Sequence, residues 1–588
     1  MSAMSTSVTM GPIMSTKNIS LVSPATLQGV IDALALRSDL KDQRRLDLRS
    51  SLRTFAKVMG KTPDQVPADI GVLNSQVAGM TAQMVGLSAP RWANVKSGLT
   101  TALSLTGAKV IAGKRRGALA PEWAALLDQV EGRYERARLS KFLSWCTTEA
   151  IAPATVCQGD VDRFVVALST SSLTERPKAV HRDLALAWGR CRTTVAGWPD
   201  VEIKVPNNSR AYALAEGDFS EAFVKDVDAY LHHLVEVDPF EETPRKAMAP
   251  TTLRDVKLRI YQLASALAET GRDPKTMTGL CDLVAPEAAK AALRVQHERN
   301  GKRKTGQLAN YARTLINAAR HWVKSSEEDL DTLRALGRSI TPKTGGMTDK
   351  NRARLRQFDN QSAVHRLIGL PGLVFDNMPP QGRLSPAQAL RAQSALAVAI
   401  LILGAPLRIK NLASLQLGVH VLETRPIGLG GNAAVVAGKG TTTRHIVLPA
   451  VDVKNDKDLE FTLPSGLCKY LDVYVSRCLP ILVRGGSSYL FPNTTGGSKT
   501  PGSLSVQLKT FLKRETGLIF NSHLSRHLAA KLFLERNAGD YATVQMLLGH
   551  KDLQTTMRAY VGLEAGDAIK RFDQMMDDLL EGGQDDDE

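Results

Sequence analysis

Residues 522–539 read SHLSRHLAAKLFLERNAG, and residues 547–560 read LLGHKDLQTTMRAY. In the first stretch apolar residues recur every three or four positions, the spacing of a helix with one buried face. His523 and Arg526 stand three apart and share a face of that helix. In the second, Gly549 suits the left-handed residue that ends a helix. His550 then opens a new segment near a helix N-terminus, a place that attracts anions. Tyr560 follows ten residues after His550. On one unbroken helix that is about 15 Å of rise, so the chain must bend around Asp552–Thr556 if the two are to meet. Taken singly each residue is bland: a solvated HxxR face, a surface histidine, a core tyrosine.

Other stretches upstream add to the pattern. LGAPLRIKNLASLQL (403–417) places Arg408 where an apolar helix breaks at Pro406 and a new one starts. Ser385 and Pro386 provide an N-cap and a first-turn proline for that apolar helix. Residues 432–437 (NAAVVA) and 444–449 (RHIVLP) are β-rich and flank Gly438-Lys439-Gly440, which reads as a hairpin whose turn carries a long amine. Alone, Arg408 is a capping residue and Lys439 a turn lysine. Helices resume from about residue 503, and a last amphipathic helix with Ile569, Phe572, Met576 and Leu579 on one stripe precedes the acidic end DDDE.

Together these side chains suit a phosphodiester. Arginine bonds two non-bridging oxygens with a planar fork and keeps its charge. A histidine or lysine can protonate a leaving oxygen, and a tyrosine hydroxyl can attack phosphorus to form a covalent ester. The ordered set Arg408 (GAPLRIKNL), Lys439 (GKGTTTRHIVLP), His523 and Arg526 (HLSRH), His550 (LGH) and Tyr560 resembles the catalytic signature of the tyrosine recombinase (integrase) family. The resemblance covers residues 360–565 and implies several things. The fold would be mainly α with a small antiparallel β-sheet in the catalytic domain, preceded by helical core-binding-like domains. Arg408 and Arg526 would hold the scissile phosphate, His523 and His550 would orient and stabilise it, Lys439 would protonate the departing 5′-oxygen, and Tyr560 would form a 3′-phosphotyrosine. The ester conserves the bond energy, so no cofactor, ATP or metal is implied. Partners would be double-stranded DNA and three further copies in a homo-tetramer on synapsed duplexes, with accessory proteins possible. Related chemistry serves strand-swivelling topoisomerases and telomere resolvases; a different class is an inactive architectural DNA-binding protein, against which the complete residue set argues.

The remaining sequence fits a polyanion partner. Residues 361–588 hold 24 basic and 21 acidic side chains, so only +3 of the net charge of +16 lies there and the rest sits upstream. Basic clusters at Lys114, Arg115 and Arg116, at Arg299, Lys302, Arg303 and Lys304, and at Lys343, Lys350, Arg352, Arg354 and Arg356 punctuate the helical half and are candidate phosphate contacts. The six cysteines are scattered without a CxxC pair, which argues against zinc modules and disulfide frameworks. The start lacks the pattern of a signal peptide, and the apolar run Ala395–Leu403 is too short to span a bilayer. A cytosolic, nucleoid-associated protein without membrane contact is expected.

Between residues 25 and 340 one feature recurs. A helical stretch is followed by Pro-x-x-Val/Met at Pro63–Val66, Pro153–Val156 and Pro274–Met277, with a large apolar residue eleven positions before each proline (Leu52, Phe142, Leu263) and a Trp in the next helical segment (Trp92, Trp188, Trp322). Three related helical units are expected, against one usual in the family. The division is then a disordered start (1–22), helical units at 23–112, 120–235 and 248–340, a basic linker (341–360), a catalytic domain (361–566), and a C-terminal helix with its tail (567–588).

Overall fold

The computed structural model describes residues 24–108, 118–174, 176–206, 213–236, 247–342, 346–424, 443–453, 457–483, 485–560 and 572–577. It divides into two compact units, Asn207–Gly345 on the one hand and Met1–Pro206 with Gly346–Glu588 on the other. The described architecture is mainly α, with one three-stranded antiparallel sheet.

In the larger unit, one helical core forms around the crossing of Asp42–Val58 and Ala89–Leu105, where Gly98 lets the backbones approach across Ser51 and Phe55 stacks on Trp92 with ring centroids 6.4 Å apart. Thr26 and Ser88 cap helix starts by accepting from Gly29 and Arg91 amides. A second core gathers Trp123, Phe142, Trp145, Phe164, Trp188 and Trp198, most of them in edge-on or tilted ring contacts. The Pro-x-x-apolar feature has a packing reason. In all three copies the residue after the turn (Val66, Val156, Met277) and the one eleven before the proline (Leu52, Phe142, Leu263) are buried. Trp92 and Trp188 are buried too, whereas Trp322 is half-buried and donates its indole N–H to Asp226 at 2.9 Å.

The smaller unit has its own core and corrects one expected boundary. Helix Glu221–His233, placed by sequence in the unit ending at residue 235, packs into the core of the following helices. Phe219 and Phe223 meet the Tyr261 ring at 5.4 and 6.1 Å, and Ser220 donates to the Met277 carbonyl. Apolar partners, rather than the composition of the connecting segment, decide which unit a helix joins.

The largest core spans residues 347–560. At its centre lies helix Pro386–Ala399, started by the Ser385 capping box and ending in a π-helical turn, Ile400–Gly404. The stretch Pro386–Gly404 is long and apolar enough to cross a membrane by length and composition, which the shorter run considered above missed. Here Ala389, Ala392, Ala395, Leu396 and Ala399 are fully covered by other helices. Strand β1 (Val421–Thr424) pairs with β2 (Thr443–Leu448), which pairs with β3 (Leu459–Thr462), all antiparallel. Ile446 and Leu448, two apart, point one face of β2 into the core. The expected strand at 444–449 is thus present to within a residue, while 432–437 and the turn with Lys439 lie outside the described residues. Of the C-terminal stripe, Phe572 and Met576 are described and exposed; Ile569 and Leu579 lie outside.

A buried polar network ties this core together. Tyr474 is 0% exposed; its hydroxyl accepts from Gln393 Nε2 and donates to the Leu490 carbonyl, both at 2.9 Å. Replacing Tyr474 by Phe removes one hydroxyl and leaves two buried groups unpaired, a cost of about 1–3 kcal/mol. The urea midpoint of the C-terminal domain should fall accordingly with an unchanged m-value; an unshifted midpoint would show that the network contributes nothing.

Candidate active site

The site is built around Arg526, on helix Leu524–Leu534. This side chain is 4% exposed, and its guanidinium donates to two backbone carbonyls: Pro406 O at 2.7 Å and Leu548 O. The first carbonyl belongs to the irregular turn after Gly404, where the chain leaves the central helix. Two residues on, Arg408 becomes the N-cap of the short helix Ile409–Ala413. The second carbonyl ends helix Tyr541–Leu548, just before Gly549 and His550. One guanidinium therefore joins the segments that carry Arg408, Arg526 and His550. No carboxylate pairs with Arg526 among the described residues; burial, with Arg408 nearby, lowers its pKa to about 10. Arg408 is half-buried, and desolvation lowers its pKa too.

The helix is held from its far end as well. Lys531 is buried and ion-paired with Asp359 at 3.0 Å and with Glu535. Asp359 follows the helix Asp349–Leu355, so the expected basic linker is a folded element whose Leu355 and Phe358 join the core.

Gly549 adopts φ +57°, and a Cβ there would stand 2.9 Å from Leu459 Cδ2 on β3, so both backbone and space ask for glycine. After it the chain turns sharply. Asp552 accepts from the Thr555 amide at 2.7 Å and starts helix Leu553–Tyr560, which carries the tyrosine back towards His550. The His550 and Tyr560 rings lie parallel with centroids 6.5 Å apart, and His550 Nδ1 bonds Thr556 Oγ1 at 2.8 Å. Tyr560 is 2% exposed. Burial pushes its phenol up to about 12, opposed by the guanidinium of Arg526.

Arg408, His523, Arg526, His550 and Tyr560 thus gather in one neighbourhood. The positive charge of Arg408 is felt at His523, Arg526 and His550. His523 is exposed at the lip, yet its pKa lies below its usual range through desolvation and the two arginines. Lys439 falls outside the described residues. Sequence reading missed His527, 8% exposed, whose Nδ1 lies 3.1 Å from the Tyr560 hydroxyl. Its ring meets those of His523 and Tyr560 edge-on at 4.7 and 5.6 Å. The available signal was its i, i+4 spacing from His523, which puts both imidazoles on one helix face. Thr556, the partner of His550, was missed as well.

The candidate backbone contacts are more scattered. Lys114, Arg115 and Arg116 lie outside the described residues. In the smaller unit Lys302, Arg303 and Lys304 are exposed on the turn before helix Gly306–Ala318, whereas Arg299 is engaged with Glu269. Lys350 and Arg352 are exposed and Arg354 half-buried on Asp349–Leu355. Among the described residues no group of three or more His, Cys, Asp or Glu side chains is placed to hold a metal ion.

The desolvated imidazoles predict acid sensitivity. Burial, then neighbouring cations, lowers His527 and His550 to about 4, against about 6.5 for a free imidazole. Between those values the unfolded chain binds more protons than the folded one. The contribution is therefore fully present above about pH 6.5 and is lost progressively as pH falls towards 4. The urea midpoint of the C-terminal domain should be lower at pH 5 than at pH 7.5, and replacing both histidines by Asn should reduce that difference; a midpoint equal at both pH values would contradict the assignment.

Comparison with known proteins bears on this site. The phage integrase family matches residues 387–565. Tyrosine recombinase XerC of Pseudomonas savastanoi pv. phaseolicola is 31% identical over 160 residues, covering 27% of this chain and 45% of the relative. XerC of Xanthomonas axonopodis pv. citri is 27% identical over 210 residues, covering 33% and 65%. The chain thus spans about half the length of the first of these relatives. Among solved structures, a lambda integrase(75-356) dimer bound to a COC′ core site aligns at 16% identity and TM-score 0.31 over 56% of this chain and 93% of that one. XerH bound to palindromic difH substrate aligns at 14% identity and TM-score 0.30, over 61% and 99%. The segment that carries Arg408, His523, Arg526, His550 and Tyr560 thus matches the phage integrase family and is similar in sequence to tyrosine recombinase XerC.

Proposed function

We propose that the protein is a site-specific DNA recombinase that cuts and rejoins strands through a 3′-phosphotyrosine at Tyr560, serving a mobile element. The reading rests on one observation: a buried tyrosine lies within the electrostatic reach of Arg526, and neither Arg526 nor its neighbour Arg408 has a carboxylate partner among the described residues. A buried guanidinium paired only with carbonyl dipoles gains from an anion. A phosphodiester would supply that anion, and its two non-bridging oxygens would take Arg408 and Arg526. Tyr560 Oη then attacks phosphorus while the bond to the 5′-oxygen breaks, and Lys439 gives that oxygen its proton. His523 and His550 orient the phosphate. Rejoining reverses the step at no cost in ATP, because the ester keeps the bond energy.

The exposed cations Lys302, Arg303 and Lys304 of the third helical unit, with Lys350 and Arg352 of the linker, would follow the DNA backbone without reading sequence. In this reading the three helical units form the grip, residues 361–566 the catalytic domain, and a tetramer on two synapsed duplexes the working assembly, with accessory proteins adding control. It works in the cytosol, on the nucleoid.

Two outcomes test the proposal. Tyr560→Phe should abolish covalent attachment to a nicked suicide duplex while changing DNA affinity less than about threefold, and a Phe variant that still becomes linked would place the nucleophile elsewhere. The wild-type chain should cleave in EDTA; strict dependence on Mg²⁺ would require a different mechanism.

A further inference from the structure

The recombinase reading leaves one proton unassigned, that of the Tyr560 hydroxyl. A buried O–H requires an acceptor. Among the described residues the partner within bonding distance is His527 Nδ1 at 3.1 Å, not His523 or His550. His550 lies parallel to the phenol ring and bonds Thr556 through its own Nδ1. His523 packs against the His527 ring, one residue removed from the hydroxyl.

We propose that His527 is a catalytic residue, the base that takes the Tyr560 proton during cleavage and returns it during rejoining. The inference rests on the recombinase reading. In cleavage the Tyr560 O–H bond breaks towards His527 Nδ1 as Oη bonds phosphorus, and the 5′-oxygen leaves with a proton from Lys439. In rejoining the 5′-hydroxyl attacks, Lys439 regains its proton, and the departing phenolic oxygen recovers the proton from His527. Protons and electron pairs balance in both directions.

The charges around the imidazole fit this role. It is faced by His523 and Arg526 from its own helix, by His550 from the turn after Gly549, and by Tyr560. In the free protein burial, the neighbouring imidazoles and the charge of Arg526 keep it neutral, with a lone pair to offer. A phosphodiester adds a negative charge beside Arg526 and raises the basicity of the imidazole when the proton has to move. As the oxygen bonds phosphorus its proton becomes strongly acidic, so transfer accompanies bond formation.

Three measurements on the full chain decide the matter. Nitrogen-15 NMR of the histidines should place the His527 proton on Nε2, with Nδ1 unprotonated and its signal shifted in Tyr560→Phe; a protonated Nδ1 overturns the proposal whatever the activity. In single-turnover cleavage of a nicked duplex, His527→Asn keeps an acceptor oxygen near the Nδ1 position but cannot take a proton. Its rate should fall on the order of 100-fold or more with DNA affinity retained, and should rise about tenfold per pH unit where the wild type levels off. An Asn variant that cleaves at the wild-type rate reduces His527 to packing and overturns the base role alone. A wild-type chain that forms no adduct defeats the recombinase reading itself.

Discussion

The buried guanidinium of Arg526 is the constraint on which the rest of the site depends. Placing a full charge where only 4% of its residue surface meets solvent is expensive unless polar groups surround it. Here the surrounding groups are two carbonyls that no regular secondary structure uses, at Pro406 and Leu548. Each belongs to a place where a helix has been forced to stop, one by the irregular turn before Pro406 and the other by the left-handed Gly549. Satisfying the charge and positioning the neighbouring functional residues are thus one event. Removing the guanidinium would free two carbonyls and release the backbone that aims Arg408 and His550.

Burial also sorts the charges around it. The same low-polarity surroundings that hold the imidazoles of His527 and His550 neutral leave the arginines charged, because a guanidinium starts so far above neutral pH that even about 10 keeps its proton. The result is fixed cations next to neutral hydrogen-bonding rings. Tyr560, pushed up to about 12, stays protonated until something withdraws its proton. This division leaves fixed positive charge where an anion could be held.

Features set by local chemistry were legible in the sequence. Ser385 with Pro386, Gly549 and the 444–449 strand announce themselves within a few residues, since caps, left-handed glycines and β-rich runs act locally. Arg408, His523, Arg526, His550 and Tyr560 were legible as an ordered set. His527 was not, because its meaning lies in a contact with a residue 33 positions away. Strands β1 and β3, four residues each, are too short and mixed in polarity to show a period of two. Helix Glu221–His233 was grouped with the wrong neighbours because amphipathic spacing reveals which face is buried and not against what. The π-helical turns at Ala319–Val323, Ile400–Gly404 and Tyr474–Cys478 have no signature in residue type.

The second of those turns has an evolutionary corollary. From Ile400 the amide of Ala405 reaches back five residues, at 2.6 Å, instead of the four of an ordinary helix, so one additional residue is looped into the winding. Each helical residue rotates the chain by about 100°. Losing a single codon from this stretch would let the coil rewind and swing the Pro406 carbonyl away from the arginine it serves, whereas swapping Ile for Leu there would leave the phase untouched. Descendants of this gene should accordingly exchange one apolar letter for another between 400 and 403, where Ile400 and Leu401 are buried, and change their number hardly at all.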